Sequence, residues 1–126
     1  MAAKRFAELV YTPEQASGEA ISKAETHTPK IEAPDKAKAG EPITVRITVG
    51  PHPNTREHSI RWIEVYVYEE GRAFNPIYVA HIDLEPGVAE PDVTLKIRLN
   101  KSGVIYALSY CNLHGVWEAR KEIKVE

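Results

Sequence analysis

The sequence predicts an all-β fold, and three observations lead to this prediction. Apolar and polar residues alternate with a period of two along residues 43–49, 93–99 and 117–125, as expected for strands with one buried face. Residues 60–68 and 104–110 are apolar or aromatic on both parities, which is typical of central strands covered on both sides. Glycine- and proline-containing turn signals separate these runs, at residues 39–42, 70–71, 85–87 and 101–103.

Two weaker patterns complete the predicted sheets. Residues 77–84 form another strand, and residues 30–36 form an edge strand. About seven short strands at this spacing, with no amphipathic helix between them, predict an immunoglobulin-like antiparallel β-sandwich. The Cys…Trp…Cys spacing of antibody domains is absent.

Residues 1–24 have a different composition and are predicted to form an N-terminal extension of the domain at residues 25–126. Ala, Glu and Lys dominate this segment, and the run from Thr12 to Gln15 resembles a capping box with proline at the first helical position. We therefore expect a short helix that stops at Gly18. The extension should pack on the domain or on a neighbouring subunit.

The bulk properties exclude several classes of protein. A length of 126 residues fits one domain, and a net charge of −2 argues against binding to nucleic acid or to a membrane surface. A single cysteine rules out an internal disulfide bond. Neither a signal-peptide pattern nor the ~20-residue apolar run of a membrane span is found. We expect a soluble cytoplasmic protein.

The loop after residue 49 carries two candidate metal ligands. Pro51 and Pro53 flank His52, and because proline cannot donate to a β-ladder, this stretch is predicted to be a loop. His58 lies just before the predicted central strand, which would give it a stiff base. The loop could aim both imidazoles at one point, although two ordinary loop histidines remain the alternative.

Cys111 and His114 strengthen the case for a metal centre. Cys111 follows the apolar strand 104–110, and Gly115 after His114 indicates a tight turn. The Cys-x-x-His spacing lets a thiolate and an imidazole bind one ion, while backbone amides in the turn point at the sulfur. A buried inert cysteine beside a surface histidine is the alternative.

His27 precedes the first predicted strand. If this segment is extended, Lys23, Glu25 and His27 project to the same side. Glu25 could then support the histidine, act as a further ligand or remain a surface charge. His81 lies inside the strand at residues 77–84 and is interpreted as a structural or surface residue.

The donor set indicates which metal would bind. Structural zinc prefers four ligands with several cysteines, and calcium and magnesium prefer oxygen. Four imidazoles with one thiolate suit a mononuclear redox metal with an open position. Thiolate-ligated haem is comparable, since its sulfur increases electron density at the metal. Iron chemistry on a small oxygen species is the expected use.

Two motifs resemble superoxide reductases of the neelaredoxin type, over roughly residues 25–126. They are His52-Pro53-Asn54-Thr55-x-Glu57-His58-x-Ile60-Arg61 and Ser109-Tyr110-Cys111-Asn112-x-His114-Gly115-x-Trp117-Glu118. The resemblance implies the immunoglobulin-like sandwich, one-electron reduction of superoxide to hydrogen peroxide without oxygen release, and one mononuclear iron. It also implies a rubredoxin-like electron donor and a homotetramer.

Carried over position by position, the resemblance implies a ligand set for the iron. The equatorial ligands would be His27, His52, His58 and His114, with Cys111 as the axial thiolate. Glu25 would occupy the sixth position in the oxidised state. The family usually has lysine where this chain has Thr26. Lys23 could replace it in attracting superoxide, and the alternative is that the charge of the metal itself attracts the anion.

Two other functions compete with this interpretation. A cupredoxin-like electron carrier is also a β-sandwich with a late cysteine and histidine, but blue copper sites use two histidines and a weak axial methionine. The only methionine here is Met1. A non-catalytic binding module would leave the clustering of histidines unexplained.

Overall fold

The computed structural model describes residues 3–126, which form eight β-strands and three short helices. The strands are β1 Lys30–Glu32, β2 Lys36–Ala37, β3 Pro42–Thr48, β4 Ile60–Glu69, β5 Ile77–Asp83, β6 Asp92–Arg98, β7 Gly103–Cys111 and β8 Gly115–Val125. One sheet has the order β1-β3-β6 and the other β2-β8-β7-β4-β5. Every pairing is antiparallel except β2 with β8. The predicted immunoglobulin-like sandwich is confirmed.

The core consists of the inward-facing residues of both sheets. Six aliphatic side chains among them have no exposed surface: Val45, Ile47, Ile63, Val65, Ile105 and Ala107. Burying a Val or Ile side chain contributes about 1.5–3 kcal/mol. The same alternation along β7 also turns Ser109 and Cys111 inward, both fully buried. The strand that fills the core therefore delivers the only thiol to the interior.

The predicted edge strand at residues 30–36 is two strands in different sheets. β1 pairs with β3, whereas β2 pairs in parallel with β8. Pro34 lies between them and has no N–H for a ladder, so pairing stops there and the chain crosses to the other sheet. This crossing gives eight strands instead of about seven.

β4 and β7 are inner strands of their sheet, as predicted, but the prediction that both of their faces are covered is wrong. Their outward-facing aromatic residues are only half-buried or, for Tyr68, exposed. Trp62 and Tyr110 stack with ring centroids 5.5 Å apart, and Tyr66 meets Tyr78 edge-on. Because aromatic side chains occupy the outward-facing positions, residues on both faces of these strands look apolar in the sequence. The pattern therefore does not reveal which face is exposed to solvent.

The helices are α1 Phe6–Leu9, a 3-10 helix at Gly18–Lys23 and α2 Ala24–His27. The helix predicted between Thr12 and Gly18 is therefore wrong, since residues 13–15 form a turn. The capping hydrogen bond exists, because Gln15 N donates to Thr12 Oγ1 at 3.2 Å, but it closes a turn only. Gly18, with φ 60°, begins a helix instead of ending one. None of the described helices is long and apolar enough to cross a membrane.

Tyr11 attaches the N-terminal segment to the sandwich. Tyr11 N donates to Val116 O at 2.9 Å, and Glu118 N donates to Tyr11 O at 2.8 Å. The Tyr11 ring stacks on Trp117 with centroids 4.8 Å apart. This pairing with β8 holds the chain extended at Tyr11 and places the following helices beside the end of the sandwich where Cys111 lies.

Candidate metal centre

Five side chains from three separate segments meet at one end of the sandwich. They are His27, His52, His58, Cys111 and His114, and their donor atoms all lie within 4.8 Å of one another. His27 and Cys111 are buried, and the other three are half-buried. The structure thus brings together all five residues that the sequence predicted as histidine and cysteine ligands.

His27 lies at the end of α2 and is held on several sides. Its Nδ1 is 2.9 Å from Lys23 O, and its carbonyl accepts a 2.9 Å hydrogen bond from the buried Ser109 Oγ. The imidazole also packs against Trp117, with ring centroids 5.4 Å apart. His27 is consequently fixed in position by α2, β7 and β8 together.

The loop between β3 and β4 positions His52 and His58. His52 Nδ1 lies 2.7 Å from Pro53 O, which orients the ring. Around His58, Thr55 N donates to His58 O at 2.9 Å and His58 N donates to Thr55 Oγ1 at 3.1 Å. These bonds close a tight turn that presents the His58 side chain. The predicted loop geometry is therefore observed.

Cys111 and His114 are contributed by the turn between β7 and β8. Cys111 Sγ lies 3.5 Å from His114 Nδ1. Gly115 adopts φ 83°, a left-handed conformation that glycine reaches without steric cost, so the turn can close immediately after His114. Trp117 Nε1 donates to His114 O at 3.0 Å, which fixes the turn against β8.

Asn112 joins the loop that carries His58 to the turn that follows Cys111, a role that the sequence patterns did not predict. Its Nδ2 donates to Glu57 O at 2.8 Å, and its Oδ1 accepts from Ser59 N at 2.9 Å. These two contacts lie on either side of His58. An asparagine directly after the cysteine of the cluster was the available signal, but its partners became visible only in the fold.

The hydrogen-bond partners determine which imidazole nitrogens face the centre. His27 Nδ1 and His52 Nδ1 each lie against a backbone carbonyl, which can only accept, so both are assigned as N–H donors. Each neutral ring then carries its lone pair on Nε2. Those two Nε2 atoms lie 3.1 Å apart, and His27 Nε2 is 3.1 Å from His114 Nδ1. Lone pairs this close repel unless they share a cation.

The donor set fits a metal ion. Nitrogens 3.1 Å apart are close enough to share one ion at the ~2.1 Å of metal–imidazole bonds. His58 Nε2 is buried and, within residues 3–126, has no hydrogen-bond partner. An orphaned buried nitrogen is costly unless it binds something. A metal would satisfy all of these atoms together.

The electrostatics of the cluster favour neutral imidazoles, the form that binds metals. The pKa of His27 is lowered to about 4, chiefly by burial and also by the neighbouring histidines, against the opposing bond to Lys23 O. Burial is also the main cause of the lowered pKa values of His52 and His114. The charge of Lys23 contributes to the effect on His114. Near neutral pH these rings are therefore ready to act as ligands.

Lys23, Glu25 and His27 do not share one side of the chain, because the segment is helical and not extended. Positions 23 and 27 are one turn apart and face the same side, whereas position 25 faces away. Glu25 is exposed and lies outside the cluster of donor atoms. Lys23 lines a cavity of about 360 Å³ beside His114, together with Glu19 and Leu113.

His81 lies away from this cluster, on the outer face of the five-stranded sheet. Its Nδ1 is 2.9 Å from Glu64 Oε2 and its Nε2 is 2.9 Å from Asp83 Oδ1. Both carboxylates raise the pKa of His81, with the Asp83 hydrogen bond contributing most. This environment favours the imidazolium ion, which cannot bind a metal.

The fold and this cluster define a β-sandwich with one candidate metal centre that is rich in nitrogen and has a single sulfur. The family model described as desulfoferrodoxin matches residues 19–120. The chain belongs to this family, which confirms the resemblance seen in the sequence.

Several relatives and solved structures are similar to this chain. A superoxide reductase (neelaredoxin) from Ignicoccus hospitalis has 70% sequence identity and a TM-score of 0.92, with 98% of this chain and 100% of that chain covered. The superoxide reductase of Pyrococcus horikoshii is 41% identical, covering 82% of this chain and 90% of its own. The neelaredoxin of Megalodesulfovibrio gigas is 35% identical, covering 82% and 91%.

Proposed function

We propose that this chain is a superoxide reductase, whose overall reaction adds one electron and two protons to superoxide and yields hydrogen peroxide without oxygen. The observation that carries the proposal is the convergence of four imidazoles and one cysteine sulfur within 4.8 Å. Membership of the desulfoferrodoxin family and the similarity to superoxide reductases support it. A cupredoxin-like carrier would leave two of the clustered histidines without a role.

The proposed cofactor is one iron ion held by His27, His52, His58, His114 and Cys111. Iron bound there would supply the electron by changing between the ferrous and ferric states. Neutral imidazoles leave the cationic charge of the site largely uncompensated, which attracts the superoxide anion. The Cys111 thiolate adds electron density and so favours electron donation. The core around Cys111 keeps water away from the sulfur.

Lys23 is proposed to guide superoxide to the site. It shares a helix side with His27 and lines the cavity beside His114. A lysine that lines a cavity next to the site raises the local concentration of an anionic substrate and thereby its association rate. This position compensates for the neutral side chain of Thr26.

Glu25 is proposed to approach the iron in the oxidised state. Its exposed position on the far side of α2 means that α2 must rotate or unwind for the carboxylate to reach the cluster. α2 has only four residues, so this change breaks few hydrogen bonds. In that position the Glu25 carboxylate would cover the oxidised site, and it would leave the site again on reduction.

The proposed surroundings of the reaction follow from the family resemblance. A rubredoxin-like protein would return one electron to the site after each turnover. The chain would act as a homotetramer in the cytoplasm. Size-exclusion chromatography with light scattering measures the assembly, and reduction of the oxidised protein by reduced rubredoxin tests the donor.

The function is tested by measuring metal content, electron paramagnetic resonance and product stoichiometry on one sample. We expect about one iron per chain and a high-spin ferric signal. With excess reductant, each superoxide consumed should give one hydrogen peroxide and no oxygen. Release of oxygen with half that yield of peroxide would identify a dismutase instead, and an axial cupric signal would indicate an electron carrier.

A further inference from the structure

Thr26 lies directly beside His27 in α2 and contacts its ring. Thr26 Oγ1 is 2.9 Å from His27 Nδ1 and 3.2 Å from Lys23 O. We propose that Thr26 is a positioning residue of the metal centre, whose hydroxyl orients the His27 imidazole and increases its electron donation. The inference rests on the proposed iron site but does not depend on which substrate reacts there.

The proton positions follow from the available acceptors. Lys23 O lacks a proton, so both His27 Nδ1–H and the Thr26 hydroxyl donate to it. The Thr26 oxygen retains lone pairs and accepts a second branch of the bond from Nδ1–H. The three groups form a closed triangle that holds the proton on Nδ1. Nε2 is thereby kept unprotonated and directed at the neighbouring His52 and His114 nitrogens.

An ordinary helical threonine would not have this effect. Hydroxyls in helices commonly bond a carbonyl three or four residues earlier, and such a bond leaves the next side chain untouched. Here the same hydroxyl also lies within hydrogen-bond distance of a buried imidazole that is 3% exposed. Because His27 is shielded from water, no solvent molecule can easily replace the hydroxyl.

The hydroxyl should change the properties of a bound metal. Accepting a hydrogen bond from the distal N–H makes a ligand imidazole more basic, which strengthens its bond to the metal. The gain is larger for ferric than for ferrous iron because the ferric ion carries more charge. Loss of the hydroxyl should therefore weaken iron binding by about tenfold and raise the midpoint potential.

Thr28 provides a matched control two residues further along the chain. Its Oγ1 is buried and has no hydrogen-bond partner in the described part of the chain. Thr28→Val therefore removes a hydroxyl from the same segment without breaking a bond. Thr26→Val makes the same change at the proposed positioning residue, and Thr26→Ser retains the hydroxyl there.

The test compares these three variants with the unmodified protein. The readouts are the dissociation constant for ferrous iron under anaerobic conditions, the midpoint potential, and the energy of the sulfur-to-iron absorption band of the oxidised protein. We expect Thr26→Val to bind iron about tenfold more weakly, with a higher potential and a shifted band. Thr26→Ser should restore all three values, and Thr28→Val should leave them unchanged.

Two results would overturn the inference in distinguishable ways. If Thr26→Val matched Thr28→Val in all three readouts while the unmodified protein bound iron, the positioning role alone would fail. If the unmodified protein took up no ferrous iron, the proposed iron site would fail as well. If Thr26→Val weakened iron binding and Thr26→Ser did not restore it, the effect would be assigned to helix packing, which also contradicts the proposal.

Discussion

Two histidines in this chain illustrate opposite environments. His27 is buried at the end of the sandwich with its Nδ1 against a neutral carbonyl, whereas His81 lies on the outer sheet face with both nitrogens against carboxylates. Burial lowers the pKa of His27 to about 4, and the carboxylates raise the pKa of His81. A carbonyl orients an imidazole without charging it. Histidines of the donor cluster and ion-pair histidines are thus distinguished by their partners more than by their sequence context.

The largest effect is expected from a substitution in the buried donor cluster that contains His27. Cys111→Ser replaces the thiolate by a poorer electron donor, so the rate of superoxide reduction should fall by more than about a hundredfold and the oxidised absorption band should disappear. Stopped-flow absorption after a superoxide pulse measures both. Circular dichroism and the His81 NMR signal should remain unchanged, since the outer face is untouched. Retained activity with iron bound would contradict the proposed thiolate role.

The second prediction concerns pH and the metal-free protein. The pKa of His27 is about 4 in the folded protein and near 6.5 in the unfolded chain. The contribution of His27 to the free energy of unfolding is therefore fully present above pH 6.5 and is lost as the pH falls toward 4, by at most about 3 kcal/mol. The raised pKa of His81 has the opposite effect on the pH dependence of stability. Its contribution is present below pH 6.5 and is lost as pH rises through the folded value.

Urea unfolding between pH 4 and pH 8 separates these two contributions. His27→Gln should reduce the loss of stability in acid, whereas His81→Gln should reduce the loss at higher pH. Identical pH profiles for the two variants would show that their environments do not differ in the way described.

A smaller effect is expected from Lys23. Removing one lysine near the cavity should lower the association rate of superoxide a few-fold at low ionic strength and weaken the salt dependence of that rate. Lys96 is an exposed lysine on β6, in the other sheet, and Lys96→Ala serves as the charge-matched control. Equal rates and equal salt responses in the two variants would exclude steering by Lys23.

The smallest effect on the rate is expected from Glu25. The carboxylate is exposed and outside the cluster, so Glu25→Ala should leave the reaction with superoxide within about twofold while altering the absorption spectrum of the oxidised protein. Stopped-flow kinetics and the oxidised spectrum test this on the same sample. A collapse of the superoxide rate would show that Glu25 acts during turnover and not only afterwards.

The sequence predicted the parts of the fold that depend on burial. Period-two alternation located the strands to within one or two residues, because each has one face in the core. It could not separate β1 from β2, since the crossing at Pro34 depends on which sheet each half pairs with. Nor could it place the N-terminal helices, because the pairing of Tyr11 with β8 overrides the local capping signal.

The candidate site also has features that the sequence predicts and features that depend on the folded chain. The five donor residues were predictable because imidazole and thiol groups are few in this chain and lie in three short motifs. Lys23 lies on the same side as His27, as predicted, but the side on which Glu25 lies was predicted wrongly, since local spacing does not reveal that this segment is helical. Thr26 and Asn112 were not identified because their roles consist of hydrogen bonds to atoms that only the folded chain brings near.

The spacing of the donors along the chain also has a consequence for biosynthesis. His27 Nε2 and His114 Nδ1 lie 3.1 Å apart although 87 residues separate them. A chain emerging from the ribosome offers at most three of the five donor groups until the hairpin of β7 and β8 has left the exit tunnel. Metal insertion should therefore follow translation of almost the whole domain, and an incomplete chain should not capture iron.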